Sequence, residues 1–156
     1  MSKIADRLSE LGLELPTVAA PVAAYVPAVV SGNLVFTSGQ LPMVGGAMSA
    51  TGKVGEGAGL VSPETAKGLA RICALNALAA AESVIGSLDR VTRVVKVVGF
   101  VASDPSFTGQ PGVINGASEF LVEVFGDQGA HARSAVGVAS LPLDTAVEVE
   151  LTLEFA

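Results

Sequence analysis

Arg133 and the carboxylates near the C-terminal end of the chain are the residues whose types and spacing could do chemistry. Along 147–154, Val147, Val149, Leu151 and Leu153 alternate with Glu148, Glu150, Thr152 and Glu154, the period of a strand with one apolar face. The apolar row packs under helices, so the carboxylates take the opposite face. In the preceding segment Arg133, Ala135, Gly137 and Ala139 share one face, while Ser134, Val136 and Val138 share the other. Small side chains at 135 and 137 leave space beside Arg133, whose planar fork matches a carboxylate. A glutamate partly withdrawn from water at a subunit interface has its pKa raised and can exchange protons with water. The same pattern also fits a surface row of glutamates and a salt-bridged arginine, worth about 0–1 kcal/mol. Spacing alone leaves both readings open.

Other chemistries find less support. A single cysteine, Cys73, and a single histidine, His131, can make neither an internal disulfide nor a thiolate metal site, so no metal is expected. Cys73 reads as a small packing residue and Asn76 as a hydrogen-bonded helix residue. Seven glycines between 39 and 59 suggest a phosphate cradle, but no Gly-Lys-Ser/Thr follows and no G-x-G-x-x-G opens a helix. They read as a surface loop. Nine Lys plus Arg against fifteen Asp plus Glu give a net charge of −6, with the positive residues scattered singly. Nucleic acid is therefore not an expected partner. The longest helical apolar stretch, Leu69 to Ile85, contains Arg71, Asn76 and Glu82, too polar for a membrane span. The first residues lack a signal-peptide core, so a cytoplasmic protein with no membrane partner is expected.

The elements that position these groups can be read from caps and periodicity. Ser2 caps a short helix with Ile4, Leu8 and Leu11 on one face and Gly12 as its stop. An extended arm follows to Ala24, so residues 1–24 form a helix and arm and 25–156 a single domain. Val26–Val30 and Leu34–Leu41 flank the turn signal Ser31-Gly32-Asn33 and predict a hairpin, its first strand an edge because of Pro27. A short strand near Lys53-Val54 is possible. Ser62, Pro63 and Glu64 start a helix that runs to Ile85 and stops at Gly86, with Leu69, Ile72, Leu75, Leu78 and Ala79 as its apolar stripe. Val91–Ala102 reads as a strand with Val94, Val98, Phe100 and Ala102 on one face and Val91, Val95, Val97 and Val101 on the other. After the Asp104-Pro105 turn, Val113–Phe125 is a second core helix. Ala132–Ala139 and Val147–Phe155 close the chain as strands.

Of the 78 hydrophobic residues, 24 are Ala and 23 are Val, a composition for close backbone packing rather than aromatic clusters. The layout is an α+β domain with a mixed sheet of about six strands and two core helices on one face. The other face of the Val91–Ala102 strand is apolar too. With only 15% charged residues, association with further copies is the expected cover.

Three segments carry a family resemblance. Leu34-Val35-Phe36-Thr37-Ser38-Gly39-Gln40-Leu41-Pro42, Ala132-Arg133-Ser134-Ala135-Val136 leading to Leu141-Pro142, and Val147-Glu148-Val149-Glu150 resemble the Rid family. Its members are reactive-intermediate (enamine/imine) deaminases, also called YjgF-like or endoribonuclease L-PSP. The resemblance implies a chorismate-mutase-like fold and a homotrimer with clefts between subunits. It implies that Arg133 clamps a substrate carboxylate and that Glu148 positions the hydrolytic water. Tyr25, Ser38, Gly39 and Asn115 would line the cleft, with Asn115 opening the second helix. Ala135 stands where many deaminases have a cysteine, and Pro27 where a glutamine is usual. The 104–112 segment is longer than in short members and the N-terminal helix is an addition, so the chain resembles the longer, less characterised branch.

Two functions follow from the resemblance. One is hydrolysis of 2-imino or 2-enamino acids to 2-oxo acids and ammonia, needing no cofactor because an imine carbon is already electrophilic. The other keeps Arg133 and the cleft as a non-catalytic trimer that binds a small carboxylate metabolite, a reading that Ala135 favours. A ribonuclease ranks last, since the chain lacks both a phosphate-binding patch and the usual acid–base pair. His131, just before the arginine, is either a cleft hydrogen-bonding group or a satisfied loop residue.

Overall fold

The computed structural model describes residues 2–18 and 24–156; the rest of the expected arm, 19–23, lies outside the described residues. The elements in order are α1 (Lys3–Glu10), β1 (Ala28–Ser31), β2 (Leu34–Thr37), β3 (Met43–Val44), β4 (Ala47–Met48), α2 (Pro63–Ile85), β5 (Val91–Ala102), α3 (Gln110–Phe125), β6 (Ala132–Val138) and β7 (Val147–Phe155). Five strands form the main sheet in the order β1-β2-β7-β5-β6, and β3 and β4 make a separate ribbon. The sheet has one strand fewer than expected because Val54 makes only isolated bridges to Val61 and Ser103. β1 lies at an edge, as Pro27 requires. β6 runs parallel to β5 and forms the opposite edge.

α2 begins and ends where its caps place it. The Ser62 hydroxyl accepts a hydrogen bond from the Thr65 amide at 3.1 Å, worth about 1 kcal/mol, and Gly86 closes the helix with φ +84°. Its buried face differs from the expected stripe. Ala66, Ala70, Cys73, Ala74, Ala77 and Ala81 are buried with Leu69, Leu78 and Ile85, whereas Ile72 and Leu75 are only half-buried. Small residues face the sheet because the helix lies close to it. α3 approaches α2 as closely at Gly116, where a Cβ would overlap the Lys67 carbonyl oxygen. By length and composition α2 could cross a membrane, but here it is the central core helix.

β5 corrects a second expectation. Register shifts between Val91 and Arg93 and between Val94 and Lys96 are bulges, each inserting a residue and reversing the alternation. Val94 therefore joins Val91, Val97 and Val101 in the core, not Val98 and Phe100. The helix-free face carries Phe36, Val98, Phe100, Val136 and the β7 carboxylates. Phe36 and Val136 remain 40% and 44% exposed.

The N-terminal helix is built into the same core through Ile4 and Leu8. Asp89 holds it from across the chain. Its carboxylate accepts from the Ile4 and Lys3 amides at 2.8 and 3.0 Å and from the Ser2 hydroxyl at 3.0 Å. These bonds lower the Asp89 pKa, the Ile4 amide most. Next to it, the Arg90 guanidinium donates to the Ala156 carbonyl at 2.7 Å and stacks over the Phe155 ring.

Candidate functional site

Glu148 sits at the start of β7 on the helix-free face, opposite Phe100 of β5. Backbone hydrogen bonds build its surroundings. Gln40 and Val149 exchange bonds, N–H to carbonyl, at 2.8 and 3.1 Å, which draws Gly39 onto the Glu148 side chain. A Cβ at Gly39 would overlap the Glu148 carboxylate, so only glycine permits this packing. The Ser38 amide donates to the Pro27 carbonyl at 2.8 Å and its hydroxyl to the Val26 carbonyl at 2.7 Å. These two bonds tie the segment after Tyr25 to the same place. Tyr25 itself is 45% exposed.

Burial raises the Glu148 pKa above the ordinary carboxylate value, and the neighbouring negative charge of Glu150 raises it further. Glu154 is differently placed, its carboxylate accepting from Asn33 and from Thr92 at the first β5 bulge. Of the three glutamates, Glu148 is the one packed against Gly39.

Arg133 lies elsewhere. It pairs in register with Val97, as Ala135 pairs with Gly99, which puts both on the face covered by α3. Its Nη1 donates to Asn115 Oδ1 at 2.8 Å and to Ser118 Oγ at 3.2 Å. Both acceptors are neutral. The ion pairs among the described residues are Arg7–Glu10, Lys67–Glu119 and Arg71–Glu123, so Arg133 has no carboxylate partner there. The salt-bridge alternative finds no support among them. With both Nη1 protons used, the Nε–Nη2 edge is the fork left for a bidentate carboxylate.

Two sequence expectations need correction here. Gly137 does not open space beside the arginine, because a Cβ there would meet Gln110 Nε2 at 2.6 Å and Ser103 Oγ at 3.1 Å; the Gln110 side chain already occupies that side. Asn115 does not open α3, since the helix starts at Gln110 with Pro111 in its first turn. Separately from these corrections, Arg133 and Glu148 lie on opposite faces of the sheet and are not neighbours within one chain. Ser118 belongs to none of the sequence motifs, and it stands one turn after Asn115 on the same helix face. Cys73 is fully buried, its thiol 3.7 Å from the Val147 carbonyl, and burial and then the Glu148 charge push its pKa up. It is a packing residue. Asn76 donates to the Leu41 and Met43 carbonyls. Among the described residues no three His, Cys, Asp or Glu side chains form a metal-binding group.

A family model described as "YjgF/chorismate mutase-like, putative endoribonuclease" matches residues 5–155. Protein TCP17 of Trypanosoma cruzi is 47% identical over 97% of this chain and 94% of its own length. The crystal structure of Atu1372 from Agrobacterium tumefaciens, a protein of unknown function, superposes with a TM-score of 0.89 at 44% identity, covering 99% of this chain and 93% of its own. RidA from the Antarctic bacterium Psychrobacter sp. PAMC 21119 superposes with a TM-score of 0.59 at 31% identity, over 89% of this chain and 94% of its own. The chain that holds Arg133, without a carboxylate partner among the described residues, on one sheet face and a part-buried Glu148 on the other belongs to the YjgF/chorismate mutase-like family.

Proposed function

We propose that the protein hydrolyses 2-imino or 2-enamino acids to 2-oxo acids and ammonia in clefts between the subunits of a homotrimer. The observation that carries this is the division of the site. A guanidinium without a carboxylate partner among the described residues and a glutamate with a raised pKa lie on opposite faces of one sheet, so one ligand reaches both only where two copies meet. The half-exposed Phe36 and Val136 on the helix-free face are surface that such contact would cover.

In that cleft the Nε–Nη2 edge of Arg133 grips the substrate carboxylate, and Asn115 holds the guanidinium in place. Ionised Glu148 takes a proton from water as the water oxygen bonds to the imine carbon, and passes it to the nitrogen, giving a carbinolamine. Glu148 then carries the carbinolamine hydroxyl proton to the same nitrogen as the carbonyl forms and the C–N bond breaks, so ammonia leaves with the 2-oxo acid. Proton transfer of this kind supplies about 10²–10⁴-fold in rate. Tyr25 and Ser38 line the Glu148 side.

Subunit mixing tests the reading with imino acid generated in situ. Arg133→Ala and Glu148→Gln are each expected to be inactive alone. Mixed after denaturation and refolding, they should regain activity in about a quarter of their clefts, those that by random assortment pair an intact arginine with an intact glutamate. Wild-type turnover no faster than that of Arg133→Ala would sink the deaminase. Ala135, in place of the cleft cysteine, favours a second reading: the same cleft binding a 2-oxo acid without turnover. Saturable binding of 2-oxobutanoate by a protein with no deaminase activity would establish it.

A further inference from the structure

The Arg133 side chain ends in a chain of hydrogen bonds whose direction can be fixed atom by atom. Ser118 Oγ accepts from Arg133 Nη1, because a guanidinium only donates. The serine proton is thereby free to point away from the arginine, and His131 Nε2 lies 2.8 Å from the same oxygen. On the far side of the ring, Nδ1 is 2.6 Å from the Gly129 carbonyl oxygen, which only accepts. Nδ1 therefore carries a proton, and in the tautomer with its one proton there Nε2 is the acceptor for Ser118. The order is Arg133 Nη1–H to Ser118 Oγ, Ser118 O–H to His131 Nε2, and His131 Nδ1–H to Gly129 O. All donors point one way, an arrangement in which each bond polarises the next. It also links three elements: α3 through Ser118, the turn before β6 through Gly129, and β6 through Arg133.

We infer that Ser118 and His131 are positioning residues for Arg133: together they fix the imidazole as its Nδ1–H tautomer and aim the Nε–Nη2 edge of the guanidinium at the carboxylate of a small 2-oxo or 2-imino acid. The role assigned to Arg133 rests on the proposed function; the hydrogen-bond chain rests on geometry alone. Neither residue touches the ligand. Their contribution is to remove the rotational freedom that a long arginine side chain would lose on binding.

The test is a double-mutant cycle read by calorimetry with 2-oxobutanoate, with imidazole ¹⁵N spectra of the sole histidine recorded in parallel. Ser118→Ala and His131→Ala are each expected to weaken binding ~5-fold, the scale of one charge-assisted hydrogen bond in a half-exposed site. Neither should matter further once Arg133 is alanine, because groups acting through one residue are not additive. Ser118→Thr, which keeps the hydroxyl, should restore affinity. Equal factors with and without Arg133 would make both residues merely structural and overturn the inference. The spectra should show the Nδ1–H tautomer in the wild type and a mixture in Ser118→Ala; an Nε2–H tautomer in the wild type would overturn the hydrogen-bond chain outright. Should wild type fail to bind 2-oxobutanoate while the spectra behave as expected, the assignment of the ligand fails and the network stands.

Discussion

Glu148 is held by the main chain, through the Gln40–Val149 bridge and the bare Cα of Gly39, whereas Arg133 is held by side chains, through Asn115, Ser118 and His131. The two supports answer different needs. A carboxylate that must keep a raised pKa needs water excluded on a fixed side, and backbone paired in a sheet cannot swing away. A guanidinium that must meet a ligand fork-on needs angular adjustment, which hydrogen-bonding side chains supply. Damage should accordingly be abrupt on the Glu148 side and graded on the Arg133 side.

The largest expected effect is at Gly39. A methyl there displaces the Glu148 carboxylate, so Gly39→Ala should lower kcat as far as Glu148→Gln does, about 10²–10⁴-fold, while thermal unfolding changes little. If Gly39→Ala keeps wild-type turnover, the backbone does not place Glu148. Next comes Gly116, which lies between Asn115 and Ser118 in sequence and meets the α2 backbone at Lys67. Gly116→Ala is expected to cost about 1–3 kcal/mol of stability by overpacking and to weaken carboxylate binding by tilting α3; the acid limb of the pH–rate profile should stay in place. Denaturant titration beside that profile separates the two halves.

Arg133→Lys keeps the charge and loses the fork. Binding of 2-oxobutanoate should fall roughly tenfold, equivalent to ~1.4 kcal/mol, with no change in stability. The smallest effect concerns pH. Glu148 must be ionised to accept a proton, so activity should rise with pH through its raised pKa. Its acid limb should lie above the ordinary carboxylate range. Glu150→Gln removes a like charge and should move that limb to lower pH. For stability the sign is opposite: a raised folded pKa adds stability below the unfolded value, and that stability is lost as pH rises through the folded one. Glu148→Gln is therefore expected to stabilise the fold at neutral pH and to lose that advantage in acid, which urea titrations at several pH values would read.

Local rules made some elements legible and long-range packing hid others. Ser62, Pro63 and Gly86 bound α2 to the residue, because capping is short-range chemistry. The first bulge of β5 goes unannounced by any turn residue, and the second falls within a run of valines that suits either face, so the side on which Val94 lies depends on its pairing with β7. The α2 stripe departs from the pattern of its large residues for a related reason: a helix packed tightly on a sheet turns its alanines inward. At the site, the motifs pointed to Arg133 and Glu148 as a pair, yet alternation within each strand could not reveal that the two strands present them to opposite faces. Ser118 was within reach, one turn from Asn115, but only the fold brings His131 to it.

Asp89 and Arg90 have a consequence for the topology of the chain as a whole. One holds the amides of residues 3 and 4 and the other holds residue 156, so the first and last described stretches are fastened at adjacent links of the same backbone. The path from residue 2 to residue 156 is thus nearly a ring, and where the ring is cut matters less than that its two ends stay pinned together. A circular permutant joining residues 2 and 156 through a short glycine linker, and opened between Gly45 and Gly46 in the β3–β4 turn, should keep the same sheet order and melt within a few degrees of the parent. A permutant that fails to fold would mean that Asp89 and Arg90 anchor two separate ends and not one seam.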